Sequence, residues 1–317
     1  MISTTDFQIG VESILPGEAD WFATIYGCWF GKYFSEAQLQ MALREVGAQF
    51  TLFYDSLAPK KPDACRRIAE MCTRLELPFL YNNTYGDIYG PWLEGTGRAE
   101  YRPEDLTRAA QTGLFRGVVW DEVEHRQLHG TDTGGLPYFI DARGKSPVQC
   151  YDELVAAVSH ATSAYAACGA ENVAEMVFPV LMHELARGGM HPAPKVLKES
   201  FNPLVLAIAM GAALQYDRQL WAVADLWGLV SFWGSLFTGA YEGAPAHSPD
   251  EYLSSLLLCY WMGLDAVYTE GLYNLIVPVH TTQAEWDDLV ANMIRHRGQS
   301  NPLVLDYRWQ AAPLVQP

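Results

Sequence analysis

The sequence predicts an eightfold β/α barrel that occupies residues 1–317 as a single domain. Short apolar runs alternate with segments of helical periodicity about seven and a half times, which indicates a parallel sheet with helices outside it. A doubly wound open sheet would also alternate, but it usually carries a glycine-rich phosphate loop, and the chain contains no GxGxxG or Walker sequence. The length also matches a barrel of about 250 residues with insertions. We therefore expect the barrel, with long loops after strands 1, 3, 4 and 6.

The composition is that of a globular protein that has no anionic partner. Half of the residues are apolar, 18 % are charged, and 37 acidic against 21 basic residues give a net charge of −16. This charge opposes binding to nucleic acid or to an anionic membrane. No basic stretch followed by an apolar run marks a signal peptide, and the uncharged run 226–241 is too short and too rich in Gly and Ser to predict a membrane span. We expect a soluble, cytoplasmic protein.

The first half of the chain supplies four predicted strands, at residues 7–14, 50–54, 79–81 and 117–122. Ser35 with Gln38 forms a capping box for a helix that ends at Gly47. Further helices are predicted to begin at Pro62 and Pro103, because proline is favoured at the first helical position. Residues 125–147 show no periodicity and predict a long loop.

The second half begins with two predicted helices, 148–167 and 172–187. Strands five to eight are then predicted at 194–198, 220–224, 266–269 and 302–307. Asn202 caps the helix between the first two of these strands. Ser248, Pro249 and Glu251 combine a cap, a first-turn proline and a capping-box glutamate, which predicts a helix that ends near Gly263. A last helix is predicted over 282–297.

Acidic side chains gather where the fourth predicted strand ends. Apolar residues 118–120 suit a strand buried on both faces, and Asp121, Glu122 and Glu124 follow it. Charges are costly to bury unpaired, so acids at a strand end indicate a solvated cleft. In a barrel the carboxyl ends of all strands open on one mouth. The other predicted strand ends would bring Glu12, Asp55, Asn82, Glu199, Asp225 and Glu270 to the same place.

Carboxylates surrounded by Trp and Tyr are typical of a carbohydrate site, because aromatic faces stack on sugar rings and carboxylates bind hydroxyls. Glycoside cleavage also needs two carboxyl groups, one protonated and one ionised, and crowded acids push their pKa values apart. The candidate substrate-binding residues are Glu12, Asp55, Asn82, Tyr85, Glu199, Asp225, Trp227, Trp233 and Tyr268.

Two strand ends resemble those of the barrel glycoside hydrolases that carry the acid/base after strand four and the nucleophile after strand seven. The matching segments are WDEVE at 120–124 and YTEG at 268–271. The resemblance implies that Glu122 is the acid/base and Glu270 the nucleophile of a retaining mechanism. Many members carry Asn just before the strand-four acid, where this chain has Asp121. Glu122 and Glu124 lie on the same side of an extended segment, so both remain candidates for the acid/base.

Two other functions fit the same residues. A sugar isomerase would bind a divalent ion through Asp55, Glu122, Glu199 and Asp225, although no His partner accompanies them. A catalytically silent barrel would only bind glycans. For the hydrolase we predict a carbohydrate substrate, no cofactor, and neither a nucleic-acid nor a membrane partner.

Overall fold

Eight parallel strands close into a barrel, which confirms the predicted fold. The structure, a computed structural model, describes residues 7–15, 36–45, 47–54, 63–83, 93–129, 135–196, 202–224 and 249–269. Each strand pairs with the next along the chain, and the last pairs with the first. The strands are β1 (Gln8–Ile14), β2 (Phe50–Tyr54), β3 (Phe79–Asn83), β4 (Phe115–Trp120), β5 (Glu171–Met176), β6 (His191–Val196), β7 (Trp221–Ala224) and β8 (Ala266–Thr269).

Helices connect the strands on the outside of the barrel. Within the described ranges they are α1 (Glu36–Glu45), α2 (Ala64–Leu75), α3 (Pro103–Ala110), α4 (Val123–His129), α5 (Pro147–Ala166), α6 (Met182–Arg187), α7 (Asn202–Tyr216) and α8 (Pro249–Trp261). Ser146 caps α5 in a complete capping box with Gln149. Among the described helices, none is both long and apolar enough to span a membrane.

One strand, β5, was predicted as part of a helix, so the strands after it were misnumbered. Residues 172–187 were predicted as a helix, but they contain most of β5 and, further on, α6. Short apolar runs of this kind do not distinguish a strand from a helix by periodicity. The predicted strands 194–198, 220–224 and 266–269 correspond to β6, β7 and β8. The residues predicted as a long loop after strand 6 therefore come after β7 in sequence, and they lie outside the described part of the chain.

The pairing of β8 with β1 closes the ring, so the prediction of 302–307 as the eighth strand was wrong. Those residues, and the predicted helix 282–297, lie outside the described part of the chain.

The predicted loop at 125–147 was also partly wrong, because α4 occupies its first residues. Two turns of helix are too short to produce a clear periodic pattern. Gln127 on α4 holds the chain that returns beneath it: its Nε2 donates to the carbonyl of Ile140 at 2.9 Å, and its Oε1 accepts from the N–H of Phe139 at 2.8 Å. The helix is thereby fixed beside the end of β4.

The barrel interior is apolar over most of its depth and polar at its mouth. The inward cluster consists of Phe50, Leu52, Leu80, Val119, Val173, Ala193, Trp221, Val223, Ala266 and Tyr268. Because side chains alternate along a strand, positions two residues nearer the carboxyl ends also face inward. These positions hold Asn82, Asp121, Glu175 and Lys195, while Glu12 pairs in register with inward Leu52. The fold therefore brings polar residues from several strands to one end of the interior.

Two glycines allow close approaches inside the barrel wall. A Cβ on Gly10 would lie 2.1 Å from the ring of Phe50, which fills the interior there. A Cβ on Gly117 of β4 would lie 2.2 Å from the backbone oxygen of Glu171 on β5, and the φ of Gly117 is +153°. Neither position has room for a side chain.

We expect Gly117→Ala to lower the free energy of unfolding by about 2–3 kcal/mol, because the methyl group would push β4 away from the backbone of β5. Gly211→Ala is the matched control. Gly211 is exposed on α7 and its nearest contact would be 3.9 Å away, so this change should raise stability by about 0.5–1 kcal/mol. Urea denaturation measures both, and equal stability of the two variants would contradict the packing described here.

Candidate active site

A cluster of buried polar side chains lies at the mouth of the barrel. Its members come from the carboxyl ends of six strands and are each no more than 6 % exposed. They are Glu12, Asn82, Asp121, Glu122, Glu175, Lys195 and Tyr268. Buried charged side chains are rare unless they are paired, so their contacts show how the cluster is held together.

Lys195 joins two of the carboxylates. Its Nζ lies 3.0 Å from Oε1 of Glu122 and 3.0 Å from Oε1 of Glu175. All three side chains are buried, so solvent screens these contacts far less than it would at the surface. One ammonium group therefore serves two carboxylates, which come from the ends of β4 and β5.

Glu175 is held from several sides. The hydroxyl of Tyr268 donates to its Oε2, and the carboxyl of Asp121 donates a further hydrogen bond to it. Burial by itself would raise the pKa of Glu175, but the charge of Lys195 and these hydrogen bonds outweigh it and lower the pKa. Glu175 is therefore ionised at neutral pH. Burial and the neighbouring carboxylate raise the pKa of Tyr268 well above its usual value, so Tyr268 remains a hydrogen-bond donor.

Glu122 has an unusual backbone conformation, with a φ of +45°. Left-handed conformations are uncommon in residues other than glycine, and they concentrate at functional sites. In an extended segment Asp121 and Glu122 would point in opposite directions. The left-handed turn instead lets Glu122 reach Lys195 while Asp121 reaches Glu175. The local strain therefore brings two consecutive acids into the same mouth.

Glu124 plays a different part. It lies in the first turn of α4, and its Oε1 accepts hydrogen bonds from the N–H groups of Val177 at 2.5 Å and Phe178 at 2.7 Å. It thereby fastens α4 to the segment that follows β5. Burial raises the pKa of Glu124 to about 7, although the backbone hydrogen bonds act in the opposite direction. The expectation that Glu122 and Glu124 share one side of an extended segment was wrong, because α4 begins between them.

The opposite side of the mouth is formed by Glu12 and Asn82. Asn82 Nδ2 donates to Glu12 Oε1 at 2.7 Å, and the backbone carbonyl of Asn82 accepts from the hydroxyl of Tyr101. Asn82 Oδ1 is buried and has no hydrogen-bond partner. On the β4 side, Nη2 of Arg126 lies 4.0 Å from Oδ2 of Asp121.

The structure brings together the predicted residues Glu12, Asn82, Asp121, Glu122 and Tyr268, with Glu124 next to them. The remaining candidates are outside the described residues: Asp55, Tyr85, Glu199, Asp225, Trp227, Trp233 and Glu270. The strand count corrects one detail of the resemblance. Glu270 follows the eighth strand in sequence and Asp225 follows the seventh, so the assignment of Glu270 to the end of strand seven was wrong.

The sequence analysis did not identify Glu175 and Lys195. Glu175 was missed because β5 was predicted as a helix, and Lys195 because it lies near the start of the predicted strand 194–198, whereas the observed β6 ends at Val196. The alternation of inward- and outward-facing positions along each strand could have identified both residues. Glu175 and Lys195 each stand two residues after a small or β-branched residue that faces the interior, Val173 and Ala193.

The isomerase alternative remains a prediction. Within the ranges that the structure describes, no three or more His, Cys, Asp or Glu side chains group as a metal site. Of the four ligands predicted for a divalent ion, only Glu122 belongs to those ranges.

The raised pKa of Glu124 predicts a pH-dependent stability. A carboxyl whose folded-state pKa lies above its unfolded value stabilises the fold below the unfolded pKa, and this stabilisation is lost as pH rises toward the folded value. We therefore expect the wild type to lose about 2–3 kcal/mol relative to Glu124→Gln between pH 5 and pH 8. The amide keeps an acceptor for the two backbone N–H groups.

Denaturant unfolding at several pH values measures this difference. His191, whose pKa burial lowers to about 4, titrates in part of this range with the opposite sign, but it is present in both proteins and cancels. Parallel stability curves for the two proteins would contradict the account of Glu124.

No family model and no curated protein matches the chain. Among solved structures it is similar to the catalytic domain of a β-amylase from Paenibacillus polymyxa, at 8 % identity and a TM-score of 0.48 over 92 % of this chain and 98 % of that one. It is also similar to a D-psicose 3-epimerase from Clostridium cellulolyticum H10, at 9 % identity and a TM-score of 0.44 over 96 % of this chain and 99 % of that one. A deoxyribose phosphate aldolase from Aeropyrum pernix is similar at 12 % identity and a TM-score of 0.38 over 83 % of this chain and 85 % of that one. At these identities and TM-scores the likenesses carry no argument about the reaction.

Proposed function

We propose that the protein is a glycoside hydrolase in which Glu122 is the acid/base. The observation that carries this proposal is the left-handed backbone of Glu122, which directs its carboxyl into a mouth where a second carboxylate, Glu175, shares Lys195 with it. Two carboxyl groups in one buried site are what glycoside cleavage requires. Glu124 is the weaker candidate, because the backbone of Val177 and Phe178 already engages one of its oxygens.

The charge of the mouth indicates the kind of sugar. Among the residues that the structure describes, carboxyl groups outnumber basic side chains there, with Glu12, Asp121, Glu122, Glu124 and Glu175 against Lys195 and Arg126. Such a mouth disfavours phosphorylated or acidic sugars and suits neutral or amino sugars. The unpartnered Oδ1 of Asn82 is an acceptor for a sugar hydroxyl.

Two carboxylates are candidates for the nucleophile. Glu270, implied by the resemblance, follows β8 in sequence, and Glu175 belongs to the cluster described above. Either would attack the anomeric carbon while Glu122 protonates the departing oxygen.

The proposal is tested first by screening the wild type against aryl glycosides of neutral and amino sugars. We expect hydrolysis of at least one of them, and no hydrolysis of any would contradict the proposed function.

Glu122→Ala tests the role of the acid/base on the substrate that the screen identifies. A variant without its acid should lose about 10²- to 10⁴-fold in kcat/KM on a phenyl glycoside, yet retain most activity on a dinitrophenyl glycoside, whose leaving group needs no proton. Glu70→Ala, an exposed change on α2, is the control and should match the wild type on both substrates. An equal loss on both substrates would show that Glu122 is not the acid.

A further inference from the structure

We infer that Glu175 is the nucleophile of this site and that Lys195 is the shared counter-ion of Glu175 and Glu122. This inference rests on the proposed function and deepens it, because it assigns the attacking atom and the stereochemistry. It replaces the nucleophile implied by the sequence resemblance, Glu270, with a residue on β5.

The separation of the two carboxyl groups is the first argument. One oxygen of Glu122 and one of Glu175 each lie 3.0 Å from the same nitrogen, so these two oxygens are within roughly 6 Å of each other. Retaining glycosidases hold their carboxyl groups about 5–5.5 Å apart, whereas inverting enzymes leave about 6.5–9.5 Å for a water molecule. The geometry therefore favours direct attack and retention of configuration.

The ionised state and fixed orientation of the Glu175 carboxyl group are the second argument. A nucleophilic carboxylate must be ionised and held in one orientation. Lys195 and hydrogen bonds from two further strand ends lower the pKa of Glu175, and Tyr268 fixes its Oε2. The groups that face it are thus Asp121 after β4, Lys195 on β6 and Tyr268 on β8, with Glu122 on the far side of Lys195.

The reaction then has two balanced steps. In the first, a carboxylate oxygen of Glu175 bonds to the anomeric carbon, the glycosidic C–O bond breaks, and the departing oxygen takes its electron pair and the proton of Glu122. In the second, Glu122 removes a proton from water, the water oxygen bonds to the anomeric carbon, and the Glu175 carboxylate leaves. Both residues return to their starting states.

These two reaction steps explain why one ammonium group should contact two carboxyl groups. The first step requires Glu175 as the anion and a proton on Glu122. In the covalent intermediate Glu175 is a neutral ester and Glu122 is the anion. Lys195, within 3.0 Å of both, faces a single negative charge at each stage, so the total charge of the three groups stays constant.

Two experiments on the wild-type chain test the nucleophile, using the aryl glycoside found active in the screen. Proton NMR of the first product formed should show retained anomeric configuration. Incubation with the corresponding 2-deoxy-2-fluoro glycoside, followed by proteolysis and mass spectrometry, should find the sugar attached to Glu175. Inversion, or attachment to Glu270 or another residue, would overturn this inference while leaving the proposed function intact.

Variants give an independent test. Glu175→Gln should lose at least about 1,000-fold in kcat on every leaving group, because attack itself is removed. Glu171→Gln, at the exposed opposite end of β5, is the matched control and should retain wild-type kcat. A Glu175→Gln variant with a native circular dichroism spectrum and wild-type kcat would overturn the inference.

Lys195 acts through its neighbours and is therefore a positioning residue. Lys195→Met should move the acidic limb of the kcat/KM profile upward by about 1 pH unit or more, because Glu175 loses the charge that favours its ionised form. The control Lys145→Met, which removes an outer ion pair with Glu153, should leave the limb in place. An unmoved limb in Lys195→Met would contradict the counter-ion role.

Discussion

The mouth of this barrel depends on one buried ammonium group. Removing two carboxylates and an amine from water costs several kcal/mol per ion, and mutual attraction offsets this cost only when the geometry is good and the remaining lone pairs are bonded. Lys195 donates a hydrogen bond to Glu122 at 3.0 Å and forms an ion pair with Glu175 at the same distance, while Tyr268 donates to the other oxygen of Glu175. Without the amine, the negative charge that Glu175 and Glu122 carry in turn would lose its nearest counter-ion.

The register of the barrel is what makes this contact possible. Glu175 pairs with Ala193, and Lys195 pairs with Val223, so each polar residue stands beside an apolar one on the next strand. Because the strands are staggered around the barrel, the polar side chains of the mouth lie next to a continuous layer of apolar interior side chains. Gly10 leaves room for the ring of Phe50 in this apolar layer, and Gly117 lets β4 approach the backbone of β5 closely. Packing below the mouth thus determines where the charges above it meet.

The sequence was sufficient for the fold class and for part of the site. Alternation of apolar runs and helical segments identified the barrel, and Glu12 on β1 and the acids after β4 do lie at its mouth. It failed where local pattern is ambiguous: the six residues of β5 resemble a short helical segment, and the error displaced every later strand number. No residue pattern reveals the left-handed turn at Glu122, because that conformation depends on the contacts around it. The ion pairs of Lys195 were equally hidden, since they join residues 20 and 73 positions apart that the parallel pairing of β4, β5 and β6 brings together.

The most direct test of this account is a double-mutant cycle on Glu175 and Lys195. The free energy of unfolding is measured for the wild type, Glu175→Gln, Lys195→Met and the double variant. We expect Lys195→Met to cost about 3–5 kcal/mol, because it leaves the buried charge of Glu175 without its counter-ion. Glu175→Gln should cost less, because Glu122 still pairs with Lys195, and the double variant should cost clearly less than the sum of the two. Strictly additive effects would show that the two side chains do not interact, and would contradict the account of the site built on Lys195.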